Sequence, residues 1–478
     1  MRSARKYFWI VFSGLSLCAP LTRAQSPPSA PPRTIHDITV LFDQYKPDPA
    51  KVEKARGELA KELPPNLGRS ELIRFYTERA KTAEELGLVA RALEDYRKLY
   101  DLTKGDKNWA RHASQLALAE NNAGNMANSL RIREEILKDR NTLSGFVIGE
   151  NVTIANQFVR VGDIASAKAH LASAEQLYSQ VTGGTMSGTG NLYRPIWQRL
   201  IESCRAGILE AEGKLAASDA SFRKAQGYQR EVLATIPARA GFDEYSASQG
   251  HILQESLDVR YARNLILQGR LHEAELLARG MIQRNLPRSG RYSQWTAISV
   301  MTLGEVLLAQ SRFREAQVLA QLAYDTMIGV GAAPYSRYAM RSGQLIANSL
   351  IAREEWSEAV KQIAALQEAS RIDPYVQQFT RGSPEWALAL VKAGKPAEAA
   401  AMAGAVLGEL TANLGPAHHN VGEARGVLAM ALAVQGDKAR ALTEFRQAAT
   451  VLLAHSNTAL DVEREGLRRL KLRLILEA

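Results

Sequence analysis

A handful of places in the chain carry residue types that do chemistry elsewhere, and each lacks a partner the chemistry needs. His272-Glu273-Ala274-Glu275-Leu276 opens as a zinc-peptidase helix does, but Leu276 stands where the second histidine ligand belongs. It reads as the first turn of an ordinary helix. His418 and His419 are adjacent, so on a helix they point to different sides, and no third ligand lies nearby. The glycine-rich run Gly183-Gly184-Thr185-Met186-Ser187-Gly188-Thr189-Gly190 lacks the Gly-Lys-Ser/Thr ending that reaches phosphate and magnesium, and reads as a flexible insertion. Cys204 needs a histidine to act as a nucleophile, and the spacing supplies none, so a small packed thiol is expected. Asn151-Val152-Thr153 matches a glycosylation sequon but falls inside a predicted helix. No catalytic residue, cofactor site or metal site is expected.

The elements that surround these residues follow from composition. With 478 residues, 46% hydrophobic and 23% charged, the chain is too apolar to stay disordered and long enough for two or three ordinary domains. Two cysteines, Cys18 and Cys204, cannot build a disulfide framework, so the fold must rest on buried apolar surface. Arg2, Arg5 and Lys6 precede the apolar stretch from Tyr7 to Leu17, and Thr22-Arg23-Ala24 offers a cleavage site, so residues 1–24 are expected to be a signal peptide and the protein exported. Removing them takes away four positive charges and no negative one, lowering the net charge from +10 to +6. That balance lacks the clustered basic stripe with interleaved aromatics of a nucleic-acid binder, and no membrane-spanning segment is expected in what remains. Ser26-Pro27-Pro28-Ser29-Ala30-Pro31-Pro32 makes 25–34 an extended spacer, because proline fixes φ and removes backbone donors. An entry segment, 35–69, follows.

From about residue 70 to 454 the chain repeats. A turn residue is followed five positions later by a small residue, then by apolar or small residues four and seven positions beyond, as in Gly87, Ala92, Tyr96 and Leu99. The frame returns at Gly124, Gly162, Gly213, Gly269, Ser311, Glu354, Gly394 and Gly436, giving nine copies. Seven positions before each turn stands a small residue: Ala80, Ala117, Ala155, Ala206, Ala262, Gly304, Ala347, Ala387 and Ala429. Two antiparallel helices joined by a tight turn must approach closely, so the turn favours glycine and the crossing point favours alanine. Each copy is therefore predicted to be a helical hairpin.

This pattern resembles tetratricopeptide repeats, and Leu414-Gly415-Pro416-Ala417-His418-His419 is similar to the lead-in of the longer kinesin light-chain repeats. The resemblance implies an all-α solenoid, a superhelix of about nine tetratricopeptide-like hairpins. Turn-to-turn distances of 51 and 56 residues place insertions near Val181 to Arg194 and Tyr228 to Gly250, expected as loops. It also implies a concave groove, lined by first helices, for a protein or peptide partner. The repeat's groove-facing positions fall here on Arg74, Lys81, Arg111, Asn122, Asn156, Arg160, Arg263, Arg341 and Asn348. These basic and amide groups suit a peptide backbone and its carboxylates.

A last helix is expected over 455–478, apolar on one side through Leu467, Leu470 and Leu474. It ends without glycine or a polar tail, unlike a solenoid's usual polar cap. The stretches Pro32 to Ala50 and Leu452 to Ala478 resemble the segments flanking the repeats of bacterial secreted proteins with a caspase-like CHAT domain. That resemblance implies a sensor role beside a Cys/His peptidase, whose nucleophile motif neither Cys18 nor Cys204 matches. The expectation is thus an exported, non-enzymatic scaffold with a protein or peptide partner. The alternative is the sensory half of such a peptidase.

Overall fold

A computed structural model describes residues 34–46, 48–107, 109–183, 188–235, 244–455 and 466–477. The expected signal peptide and nearly all of the proline-rich spacer lie outside the described residues. Every regular element among those described is helical.

Two helices, α1 (His36–Gln44) and α2 (Pro49–Ala60), precede the repeats. The nine hairpins then follow in order: α3 (Arg69–Glu85) with α4 (Val89–Thr103), α5 (Trp109–Ala123) with α6 (Met126–Lys138), and α7 (Ser144–Arg160) with α8 (Ile164–Thr182). Next come α9 (Gly188–Ala211) with α10 (Leu215–Thr235), α11 (Glu244–Leu267) with α12 (Leu271–Ser289), and α13 (Gln294–Ala309) with α14 (Phe313–Gly329). The series closes with α15 (Arg337–Ala352) and α16 (Trp356–Ser370), the single turn α17 (Pro374–Gln377), α18 (Pro384–Lys392) with α19 (Pro396–Leu414), and α20 (His419–Val434) with α21 (Lys438–His455). The terminal helix is α22 (Gly466–Leu476). The chain is an all-α solenoid of tetratricopeptide-like hairpins.

One local device makes all nine turns. The turn residue takes a left-handed conformation each time, from φ 60° at Glu354 to φ 114° at Gly124. The amide after it then donates back to the carbonyl five residues earlier, from Leu88 to Ala83 in the first hairpin and from Asp437 to Leu432 in the last. All nine of these bonds measure 2.8–3.0 Å, the bonding of a helix C-cap that reverses the chain. Seven turns use glycine, which enters this region without steric cost; Ser311 and Glu354 enter it at φ 67° and 60°. The small residues seven positions earlier are buried at the crossing. At Gly304 even a methyl group would come within 2.9 Å of Leu345 Cδ2, so this crossing admits no side chain without a shift.

The expected loop insertions are corrected by the structure. Helix α8 runs to Thr182 and α9 starts at Gly188, while α10 runs to Thr235 and α11 starts at Glu244. Most of the extra length therefore lengthens helices: α9 and α11 have 24 residues each and α10 has 21. Added helical turns keep backbone groups bonded internally, which a long loop cannot do. Residues 184–187 and 236–243, including much of the glycine-rich run, lie outside the described residues.

The superhelix closes on itself. The tip of the first hairpin meets the start of the sixth, where the Gln294 amide donates to the Gly87 carbonyl at 3.2 Å. Ala90 donates to Val330 at 3.3 Å and Ala333 to Ala123 at 3.1 Å, joining the first and second hairpins to the junction between the sixth and seventh. Tyr335 packs so tightly on Gly124 that a Cβ there would lie 2.9 Å from its ring. One buried apolar cluster accordingly joins α1 and the first two hairpins to α10–α18, while α7, α8 and part of α9 form a separate one. Helix α1 lies against second helices, with Asp37 paired to Arg279 of α12 and the Ile35 amide donating to Glu315 of α14 at 2.8 Å.

Candidate functional site: an arginine-lined chamber on the concave wall

The closed superhelix holds two adjoining, partly open cavities of about 510 and 470 Å3, which share Asn121, Arg160, Arg263, Leu267, Arg337 and Arg341 as lining. Their walls are built from first helices: α5, α7, α9, α11, α13 and α15 each turn polar side chains inward. Each first helix buries its small residue against its own second helix, which leaves the opposite face toward the superhelix axis.

Three arginines of the chamber are matched by acids. Arg133 pairs with Glu150, Arg263 lies 3.4 Å from Glu210, and Arg341 makes a two-pronged contact with Glu305, 2.6 Å on one arm. For Arg341, burial alone would lower the pKa, but Glu305 outweighs it and the guanidinium is held above its ordinary value.

Four others have no acid in contact among the described residues. Arg260 donates to the Ser203 hydroxyl at 2.7 Å and carbonyl at 2.6 Å and lies over the Phe222 ring. Arg337 stacks over Tyr338 at 4.8 Å. Arg199, 3% exposed, donates to the Leu253 carbonyl at 3.3 Å, leaving its Nε and Nη2 buried without an acceptor. Burial lowers the pKa of all four. It pulls Arg160 well below its ordinary value, with Arg337 adding to the effect, and takes Arg199 to about 10, with Arg260 adding to it. Guanidinium does not give up its proton in proteins, so the shared direction marks cations whose surroundings disfavour charge.

Of the residues expected to face the groove, Asn122, Asn156, Arg160, Arg263, Arg341 and Asn348 line this chamber. Arg74, Lys81 and Arg111 do not. Arg74 and Arg111 are exposed, and Lys81 is half-buried beside Glu78 at 3.7 Å. The repeat frame misses Arg199, Arg260 and Arg337: Arg199 and Arg260 face each other across the neighbouring first helices α9 and α11, at positions the frame does not mark, and Arg337 of α15 joins them in the same lining.

A second stretch of the same wall is occupied by the chain itself. Helix α22 lies across α13, α15 and α20, with Leu470, Leu474 and Ile475 buried. Its Lys471, 5% exposed, is bonded to Glu423 at 2.5 Å and also pairs with Glu385. Burial would lower the lysine pKa, but the two carboxylates outweigh it and hold the ammonium above its ordinary value. The last helix therefore does not extend the stack beyond α21. It turns back into the groove.

No protein-family model matches the chain, and no curated protein matches it. Solved structures of helical-repeat proteins do. The chain is 17% identical to the nearly identical TPR-like repeats of a Podosopora anserina kinesin light chain, over 43% of this chain and 98% of that one, with a TM-score of 0.33. It is 11% identical to a Rap protein complexed with competence and sporulation factor, over 69% of this chain and 86% of that one, at a TM-score of 0.41. With the apo form of RapI it shares 10% identity over 80% and 97% of the two chains, at 0.39.

The residues singled out for chemistry have structural places. Cys204 is buried where α9 packs on α7 and α8, in a cluster with Val152, Ala167 and Leu171, and burial pushes its thiol up to about 11. Asn151 is buried in α7, its amide donating to Val147 at 2.9 Å and its oxygen 2.9 Å from His170 Nδ1, which leaves no acceptor for a sugar. His418 caps α20 by accepting the Asn420 amide at 3.2 Å, and its ring stacks on His419 at 4.6 Å. His272 lies in the first turn of α12. Among the described residues no helix is long and apolar enough to cross a membrane.

Proposed function

We propose that this protein is an exported, non-enzymatic scaffold that holds a protein or peptide partner along the concave wall of its first helices. The observation that carries the reading is α22 itself. An amphipathic helix already sits in this groove, anchored by Leu470, Leu474 and Ile475 and steered by Lys471 between Glu385 and Glu423, which is how a groove holds a partner helix. Farther along the same wall, Asn122, Asn156, Arg160, Arg263, Arg341 and Asn348 supply donors and acceptors for an extended segment. Export rests on the charge and apolar pattern of residues 1–24.

The test is site-specific photo-crosslinking in the source cells, with the reactive group placed at Asn348 in the chamber or at exposed Leu442 on α21. One discrete adduct from Asn348, absent from Leu442, is the expected result. Adducts from Leu442 alone would move the binding face to the outside of the superhelix and end this reading.

A further inference from the structure

The chamber holds more positive charge than its own acids match. After the pairs of Arg133, Arg263 and Arg341 are counted, Arg160, Arg199, Arg260 and Arg337 remain without an acid in contact among the described residues. They come from four different first helices: α7, α9 and α11 are successive in the stack, and α15 adds Arg337 to the same lining. Their charges also act on one another: Arg160 feels Arg337 and Arg260, and Arg199 feels Arg260. Arg199 is itself buried, and Arg160, Arg260 and Arg337 stand half-buried around it; a buried cation without a counter-ion is among the costliest arrangements a fold can hold. A site that keeps four together is built for an occupant that supplies the missing negative charge.

The geometry specifies that occupant further. Guanidinium groups offer paired N–H donors that match carboxylate and phosphate oxygens. Arg199 has two such donors, Nε and Nη2, buried and unfilled. Close by, the side-chain oxygens of Asn156 and Gln157 and the Oε2 of Glu255, whose other oxygen pairs with Arg284, are also buried without a donor, so the site wants N–H groups as well as oxyanions. A volume of about 470 Å3 lies within the range of small-ligand sites.

We infer that Arg160, Arg199, Arg260 and Arg337 form a receptor for a compact oxyanion of two or more negative charges, supplied by clustered carboxylates or by phosphate. This deepens the concave-wall reading by naming the chemistry of the anchor. The unfilled Asn156 and Gln157 oxygens favour the carboxylate source, since an acidic peptide brings its own amide N–H groups.

The experiment is calorimetric titration of the full chain at low salt with tetraglutamate and, separately, with inorganic pyrophosphate. Tetraglutamate is expected to bind, with affinity falling as salt rises and dropping about tenfold or more in Arg199→Gln and in Arg337→Gln. Without ligand, both variants should melt at or above the wild-type temperature, by about 1–3 °C, because an unmatched charge is gone. If pyrophosphate binds and tetraglutamate does not, the oxyanion receptor stands and phosphate is its source. If neither binds, or both variants bind as the wild type does, the inference is overturned. Should Arg199→Gln fail to fold, half-buried Arg337 carries the test alone. Probe binding without an Asn348 crosslink would remove the partner reading and leave the receptor. A crosslink without probe binding would do the reverse.

Discussion

The indole Nε1 of Trp295 donates a hydrogen bond of 2.9 Å to the carbonyl oxygen of Glu84, tying the sixth hairpin to the first across 211 residues. Trp295 is buried, and Tyr335 presses on Gly124 one hairpin further along each partner. These contacts convert an open superhelix into a closed one and bring α15 directly against α5 in the wall of one chamber. Trp295→Ala together with Tyr335→Ala should therefore open the closure while the hairpins persist. Small-angle scattering is expected to show a larger radius of gyration with unchanged far-ultraviolet dichroism. An unchanged radius would place the closing energy elsewhere.

The nine turns differ in what they ask of a side chain. Ser311→Gly should stabilise the protein by about 0.5–1 kcal/mol by relieving a left-handed backbone. Gly394→Ala should cost about 1–2 kcal/mol, since φ is 77° and the space around it is open. Gly124→Ala should cost more, because strain at φ 114° adds to collision with the Tyr335 ring at 2.9 Å. Chemical denaturation of the three variants gives the order directly.

Helix α22 can be displaced without touching its own sequence. At Gly426 of α20 an added Cβ would meet Ile475 at 2.6 Å. Gly426→Val should therefore push α22 out of the groove while the repeats remain folded. Hydrogen exchange is expected to lose protection over 466–476 and to keep it in α13 and α15. Retained protection in α22 would mean that the groove yields instead.

Asp258 makes stability depend on pH. Burial raises its carboxyl to about 7, against the opposing pull of Arg284 at 2.6 Å and with reinforcement from nearby Glu255. Above pH 7 the folded chain must hold it ionised and bears the full cost. Between about pH 7 and 4 the folded state binds a proton that the unfolded state does not, so this group adds stability as pH falls. Asp258→Asn should raise stability at pH 8 by about 1–3 kcal/mol and leave it nearly unchanged at pH 4. Urea midpoints at the two pH values, for variant and wild type, measure the difference. Equal gains at both would show that titration is not the cause.

Much of the fold was legible because it is written locally. The small residue seven positions before the turn and the five-residue step to Ala92 or its equivalents are constraints within one hairpin, and all nine hairpins form where that spacing places them. The insertions were misread because turn-to-turn distance measures length and not conformation. The spacing suggests loops at Val181 to Arg194 and Tyr228 to Gly250, yet most of these residues continue α8, α9, α10 and α11.

The candidate site was legible by halves. Arg160 and Asn156 lie one turn apart on a first helix, so helical periodicity alone puts them on the inner face. Arg199 and Arg337 share a chamber only because the stack has closed. By itself the sequence determined the hairpins, their number and their inner faces, since hydrogen bonds and side-chain spacing within about forty residues suffice for that. Tertiary structure alone decided that the superhelix closes, that α22 turns into the groove, and that four arginines meet with no acid in contact among the described residues. Those outcomes depend on small rotations accumulated from repeat to repeat and on contacts such as Trp295 with Glu84, which no local pattern encodes.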